Sequence, residues 1–177
     1  ISITDPVAAT NVMAGGNYTV KATAYDAYSN TVASGTSVSW TYSMLAGTTN
    51  NGTLATATST TNASGVASVL FTPSTSAGDS YSVTATNGTS TATSPNINVV
   101  HNNTVGSIQF SAPSTATAGT AFNLSGLAYD TYSNSMSTYN GTVALTVTGA
   151  NNAPDGTTPM LPTSITFSSG SGTASVT

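Results

Sequence analysis

The sequence predicts an all-β protein built as two antiparallel β-sandwiches in tandem, the second lacking its last strands. Three observations carry this. Short runs rich in Val, Thr, Tyr and Ile alternate apolar with polar residues and are broken by Gly, Asn and Pro. No window places apolar residues at helical spacing between caps. A rare phrase, AYDAYSN at Ala24–Asn30, returns as AYDTYSN at Ala128–Asn134.

The strands can be read in order. NYTVKATAY (Asn17–Tyr25) places Tyr18, Val20, Ala22 and Ala24 on one face, with Asn17, Thr19, Lys21 and Thr23 on the other. SVSWTYS (Ser37–Ser43) turns Val38, Trp40 and Tyr42 inward. GVASVLFT (Gly65–Thr72), DSYSVTAT (Asp79–Thr86) and PNINVV (Pro95–Val100) follow, each bounded by turn residues. About seven short strands in roughly a hundred residues mark a sandwich.

The repeat extends beyond the quoted phrase. At one constant offset Ala14–Gly15 meets Ala118–Gly119, Tyr18 meets Phe122, Val20 meets Leu124 and Ala24 meets Ala128. After a slip of one residue, Val38, Trp40 and Tyr42 meet Val143, Leu145 and Val147. SGVASV (Ser64–Val69) meets SGTASV (Ser171–Val176). Residues 1–100 therefore form one domain, 101–106 a linker and 107–177 the second domain. The first copy continues from Leu70 to Val100, whereas the second has only Thr177 beyond the matching point. The expectation is a second sandwich with an open edge. Either the chain is a segment of a longer tandem protein, or another subunit supplies the strands by β-strand addition.

Composition narrows the function. Hydrophobic residues make up 38% of the chain, enough for packed cores. Charged residues are only 3%, against about 25% in ordinary globular proteins. The one cation is Lys21, and the five carboxylates are Asp5, Asp26, Asp79, Asp130 and Asp155. Without a basic patch, nucleic acid is not a partner. No apolar run is long enough to predict a membrane span in this segment. The absence of Cys excludes disulfides and thiolate metal sites. The first residue is Ile1, read as the start of a mature or excised segment. A surface of Ser, Thr and Asn points to an extracellular location on a cell surface. Few ion pairs would suit an acidic medium.

Several stretches resemble a known family. AGGNYTVKATAYDAYSNTV (Ala14–Val32), TSVSWTYS (Thr36–Ser43) and TTNASGVASVLFTPSTSAGDSYSVTAT (Thr60–Thr86) resemble the invasin/intimin-type Ig-like domains of bacterial and archaeal surface proteins. TAGTAFNLSGLAYDTYSNSMSTYNGTVALTV (Thr117–Val147) and LPTSITFSSGSGTASV (Leu161–Val176) resemble a related surface repeat. The resemblance implies tandem Ig-like sandwiches serving as stalks, adhesin modules, filaments or surface-layer units. The family phrase has Gly before the loop Asn, where this chain has Ser29 and Ser133.

Candidate functional residues are few. Asp26 and Asp130 each precede an Asn, Asn30 and Asn134, by four positions at the end of a strand. Calcium takes 6–8 oxygens, usually from several carboxylates, and each domain has too few for that reading to lead. An Asx-turn is favoured instead, with the carboxylate accepting backbone N–H bonds and stapling the loop between sheets. Tyr25, Tyr28, Tyr129 and Tyr132 are expected to pack around that loop with hydroxyls on backbone groups; a carbohydrate-stacking platform is the sharper alternative. His101 reads as a solvated linker residue. No Ser has a base placed beside it, no pair of carboxylates is singled out, and Lys21 faces outward, away from any isopeptide partner.

Sequons stand at Asn17, Asn51, Asn62, Asn87, Asn102, Asn123 and Asn140. The Ser/Thr content would produce about as many by chance, so their placement matters more than their number. Asn17 and Asn123 are outward by parity, and the other five fall in predicted loops or the join. N-linked glycans there would solubilise a surface that lacks charge.

The expectation is a non-enzymatic structural protein with no catalytic residues, no metal and no cofactor. It would be a repeat segment of a surface layer, stalk or filament, with further copies of itself or adjacent domains as partners. The alternative is an adhesin binding surface glycans or host proteins through loops, for which Tyr132 and Tyr139 are the aromatic candidates.

Overall fold

The computed structural model describes every residue except 49–50, 118, 147, 149–151 and 153–155. Ala118, Val147 and Asp155, named above, therefore lie outside the described residues. All regular structure among the described residues is β-strand. The chain divides into two compact units, Ile1–His101 and Asn102–Thr177.

The first unit contains β1 (Ser2–Asp5), β2 (Thr10–Met13), β3 (Tyr18–Thr23), β4 (Ser37–Ala46) and β5 (Thr53–Leu54). They are followed by β6 (Thr58–Thr60), β7 (Val66–Thr72), β8 (Ser80–Asn87), β9 (Ser90–Thr93) and β10 (Ile97–Val100). One sheet runs β1-β3-β7-β5 and the other β2-β10-β8-β4-β6, with β9 paired to β8. The β2–β10 pair is parallel and the other pairs of this unit are antiparallel. This is the Ig-like division of strands between two facing sheets.

Alternation creates the core. Val20 and Ala22 of β3 are buried while Lys21 between them is exposed. Val38 and Trp40 of β4, Val69 and Phe71 of β7, and Tyr81, Val83 and Ala85 of β8 meet them from both sheets. Each such large side chain contributes about 1.5–3 kcal/mol on burial. Tyr42, Phe71 and Tyr81 form a tilted aromatic cluster, with Phe71 lying 5.4 Å from each tyrosine ring. The Trp40 indole N–H donates to Ser59 Oγ at 2.8 Å, so its one polar atom is satisfied. Thr23 departs from the parity expectation: it is buried, flanked in register by Ser2 and Val66.

The second unit contains β11 (Val105–Ser111), β12 (Phe122–Asp130), β13 (Gly141–Ala144), β14 (Ser164–Ser168) and β15 (Ser171–Val176), ordered β11-β12-β15-β14-β13. β11 begins inside the stretch 101–106 that the sequence assigns to a linker. β14 and β15 pair only at Phe167↔Gly172 and Ser168↔Ser171, around a turn with positive φ at Ser169 and Gly170. Beyond that hinge the β13–β14 pair folds over β12. A Cβ placed on Gly126 would lie 2.7 Å from Phe167 Cζ, so only glycine lets the ring approach the strand.

By sequence correspondence, β11, β12 and β15 are the counterparts of β1, β3 and β7, and β13 and β14 those of β4 and β6. No strand among the described residues of this unit corresponds to β8, β9 or β10. β4 is paired on both sides, by β6 and β8. Among the described residues, β13 is paired by β14 alone and ends its sheet. The core is correspondingly small: Ala128, Met136, Ile165 and Phe167, with Val143 and Leu145 half-buried against them.

Candidate functional site: twin aspartate-braced loops

β3 and β12 each end where the chain must leave its layer for the facing one. Both units make that crossing with the same geometry. Asp26 Oδ1 accepts the backbone N–H of Tyr28 at 2.8 Å and of Asn30 at 2.9 Å. Asp130 Oδ1 accepts those of Tyr132 and Asn134, both at 2.8 Å. In each loop the Asn side-chain amide returns to the second carboxylate oxygen, at 3.2 Å in the first and 2.9 Å in the second. Main-chain bonds close the same ring: Asp26 N–H to Asn30 O and Ser29 N–H to Asp26 O, repeated at Asp130, Asn134 and Ser133. Ser29 and Ser133 both have φ of 66°, the left-handed region that glycine occupies freely. The Ser-for-Gly departure seen in the sequence thus falls on the one strained position of the turn.

The two braces differ in depth. Asp26 is exposed, and its carboxyl sits below the usual range because of the Asn30 backbone bond, then the Asn30 side chain and Tyr28. Asp130 is only 2% exposed. Burial pushes its carboxyl up, but the bonds from Asn134, Asn102 and Tyr132 outweigh it and the net direction is down. The extra donor is the Asn102 N–H, 2.9 Å from Asp130 Oδ2. The Asn102 side chain also donates to Thr131 Oγ1 at 2.8 Å and accepts from Thr104 N–H at 2.9 Å. Asp130 thereby fastens the first residues of its unit to the crossing loop.

Three of the four tyrosines, Tyr25, Tyr28 and Tyr132, do not pack around these loops, whereas Tyr129 is half-buried. Tyr28 is 87% exposed, Tyr25 and Tyr132 are also exposed, and none of the four hydroxyls has a hydrogen bond among the described residues. The carboxylate already fills the inside of each loop and takes its N–H groups, which leaves the Tyr28 and Tyr132 rings to solvent. Tyr139 is corrected in the opposite direction: it is half-buried and stacks edge-on against Phe167 at 5.4 Å. His101, expected to be solvated, is half-buried.

Two polar clusters escaped the sequence reading. Asp79 is buried and accepts from Thr48 N–H at 3.0 Å and from Ser74 Oγ at 2.5 Å. It joins the turn after β4 to the turn before β8. Gly47, at φ 112°, makes room: a Cβ there would lie 1.9 Å from Asp79 Oδ1. The second cluster is at β1. Tyr18 donates its hydroxyl to Asp5, whose other oxygen lies 3.2 Å from Lys21 Nζ. The Tyr18 bond, then Lys21, hold the Asp5 carboxyl down, and the same bond pushes Tyr18 up to about 12. The only sequence signal for either cluster is the scarcity of Asp.

The sequon residues fall into two groups. Asn17, Asn51 and Asn123 are exposed and make no side-chain hydrogen bond among the described residues. Asn62 is exposed and accepts from Ser64 and Val66 N–H, leaving its amide nitrogen unengaged. In the other group the amide nitrogen donates: Asn87 to Ser37 O at 2.8 Å, Asn102 to Thr131, and Asn140 to Thr138 O at 2.9 Å. Asn87 ends β8 instead of lying in a loop.

Among the described residues, no three His, Cys, Asp or Glu side chains gather where they could hold a metal ion. No helix among them is long and apolar enough to cross a membrane. No family model matches the chain, and no curated protein matches it. The chain is similar to a solved structure, the D0-D1 domain of intimin, at 18% identity over 99% of this chain and 80% of that one, with a TM-score of 0.40. At that score the likeness says nothing of what this chain binds.

Proposed function

We propose that the chain is a non-enzymatic structural module of a cell surface, a repeat segment of a layer, stalk or filament. The observation that supports it best is the duplicated frame: the same aspartate-braced crossing loop rebuilt in two successive units. Braced sandwiches in series hold distance, and open strand edges propagate contact between copies or with adjacent domains. The near-absence of charge fits a surface covered by N-linked glycans. Asn17, Asn51, Asn62 and Asn123 are the positions whose amide nitrogen is available for a sugar. Electron microscopy of native surface material tests the reading. Ordered lattices or fibres labelled by an antibody to this chain support it, and dispersed monomers contradict it.

One observation favours a second reading, an adhesin module. Tyr28 and Tyr132 stand out from equivalent loops, and exposed tyrosine rings stack on sugars. A glycan array separates the two: binding lost in Tyr28→Ala and Tyr132→Ala would establish adhesion, and no binding by the parent chain would dismiss it.

A further inference from the structure

An asparagine followed by glycine is chemically labile, because a residue without Cβ lets its backbone nitrogen approach the preceding side chain. The chain contains three such pairs: Asn51–Gly52, Asn87–Gly88 and Asn140–Gly141. The fold treats them unequally.

Asn140 is held at both ends of its amide. Its Nδ2 donates to Thr138 O at 2.9 Å, and its Oδ1 accepts the Ser169 N–H at 3.1 Å. Gly141 is already part of β13, in register with Phe167. Asn87 closes β8 opposite Ser90, and its Nδ2 donates to Ser37 O at 2.8 Å. In both pairs the amide must leave its partners before Cγ can turn toward the next nitrogen. Asn51 is exposed, and neither end of its amide has a hydrogen bond among the described residues. The Gly52 N–H is likewise unbonded among them.

Packing keeps glycine at position 52. A Cβ there would lie 2.9 Å from Tyr42 Cε2 and 3.0 Å from Phe71 Cε2, in two rings of the aromatic cluster. The residue that makes the pair labile is therefore the one the core demands.

We infer that Asn51 is a self-modifying site. The Gly52 nitrogen attacks Asn51 Cγ, the N–Cγ bond forms and the Cγ–Nδ2 bond breaks. The proton from the Gly52 nitrogen leaves with Nδ2 as ammonia. Water then opens the succinimide at either carbonyl, giving aspartate or isoaspartate. Nothing is oxidised or reduced. The product adds one negative charge to a chain whose net charge is −4, and it destroys the sequon Asn51–Gly52–Thr53. A glycan on Nδ2 would substitute the leaving nitrogen, so sugar and succinimide are exclusive fates of this residue. The inference does not depend on the structural role proposed above.

The test uses the full chain made in a host that adds no N-linked glycans, incubated in warm, mildly alkaline buffer. Peptide mapping by mass spectrometry, with enzymatic methylation of isoaspartate as a second readout, follows the three asparagines. In urea-unfolded chain all three should convert at rates within about threefold of one another. In folded chain Asn51 should keep that rate within about threefold, while Asn87 and Asn140 fall at least tenfold below it. Asn51→Gln should remove the first acidic species seen on isoelectric focusing. Conversion at Asn51 as slow as at Asn140 in the folded chain would overturn the inference, showing that the packing of Gly52 shields its nitrogen. Equally fast conversion at all three would also overturn it, showing that the bonds at Asn87 and Asn140 give no protection.

Discussion

Asp130 Oδ1 accepts the backbone N–H of Asn134 at 2.8 Å, inside a loop that repeats the Asp26–Asn30 turn bond for bond. The second copy adds the Asn102 N–H and buries the carboxylate. An equal motif is thus a surface staple in one unit and an interior anchor in the other.

The two aspartates should therefore respond unequally to removal. Asp130→Ala leaves the N–H groups of Asn102, Tyr132 and Asn134 without their buried acceptor and should cost about 3 kcal/mol. Asp26→Ala should cost clearly less, because water reaches the vacated donors. Urea unfolding of the two variants against the parent measures the difference, and equal losses would contradict the burial argument.

Ser29 and Ser133 occupy a backbone region that costs an L-residue about 1 kcal/mol. Ser29→Gly and Ser133→Gly should each stabilise the fold by about 0.5 kcal/mol, the relief being partly offset by the freer unfolded chain. Thermal melts with the double variant check whether the gains add, as they should for turns in separate units.

Gly47→Ala should destabilise by about 3 kcal/mol, since a Cβ at that place overlaps the Asp79 carboxylate and holds a positive φ. Gly35→Ala is the control, having the positive φ but open space around it. A loss in Gly47→Ala no larger than in Gly35→Ala would show that Asp79 can move aside freely.

Stability should depend on pH at both extremes. The Asp5, Asp26 and Asp130 carboxyls lie below their ordinary value of 3.8 in the folded chain, so the stabilisation they give is present above that value. It is lost as pH falls through the folded values, which predicts a flat melting point from pH 7 to about 5 and a decline below about 4. The few ion pairs thus do not make the fold indifferent to acid. Tyr18 runs the other way: raised to about 12, it loses its contribution as pH climbs from about 10 to 12. Tyr18→Phe should lessen the alkaline decline and leave the two other acidic contributions in place.

The strands were legible because alternation is a local property. Val20, Val38 and Trp40 are buried where period-two counting puts them. The pairing of β12 with β15 was legible from the repeat, which aligns Ser171–Val176 with Ser64–Val69. Other features needed three dimensions. Asp79 takes its donors from Thr48 and Ser74, residues with no periodic relation to it. Tyr28 and Tyr132 sit in turns, where parity no longer fixes direction, and the aspartate had already claimed the inside. The hinge at β14–β15, which joins both layers of the second unit into one hydrogen-bonded sheet, leaves no trace in composition.

The proposed role is structural, as a repeat segment of assembled surface material. Amide exchange at Gly141–Ala144, compared between the isolated chain and native surface material, tests it most directly. Fast exchange at Thr142 and Ala144 is expected in isolation, and protection comparable to that of β4 in the native material. Equal and fast exchange in both would contradict it.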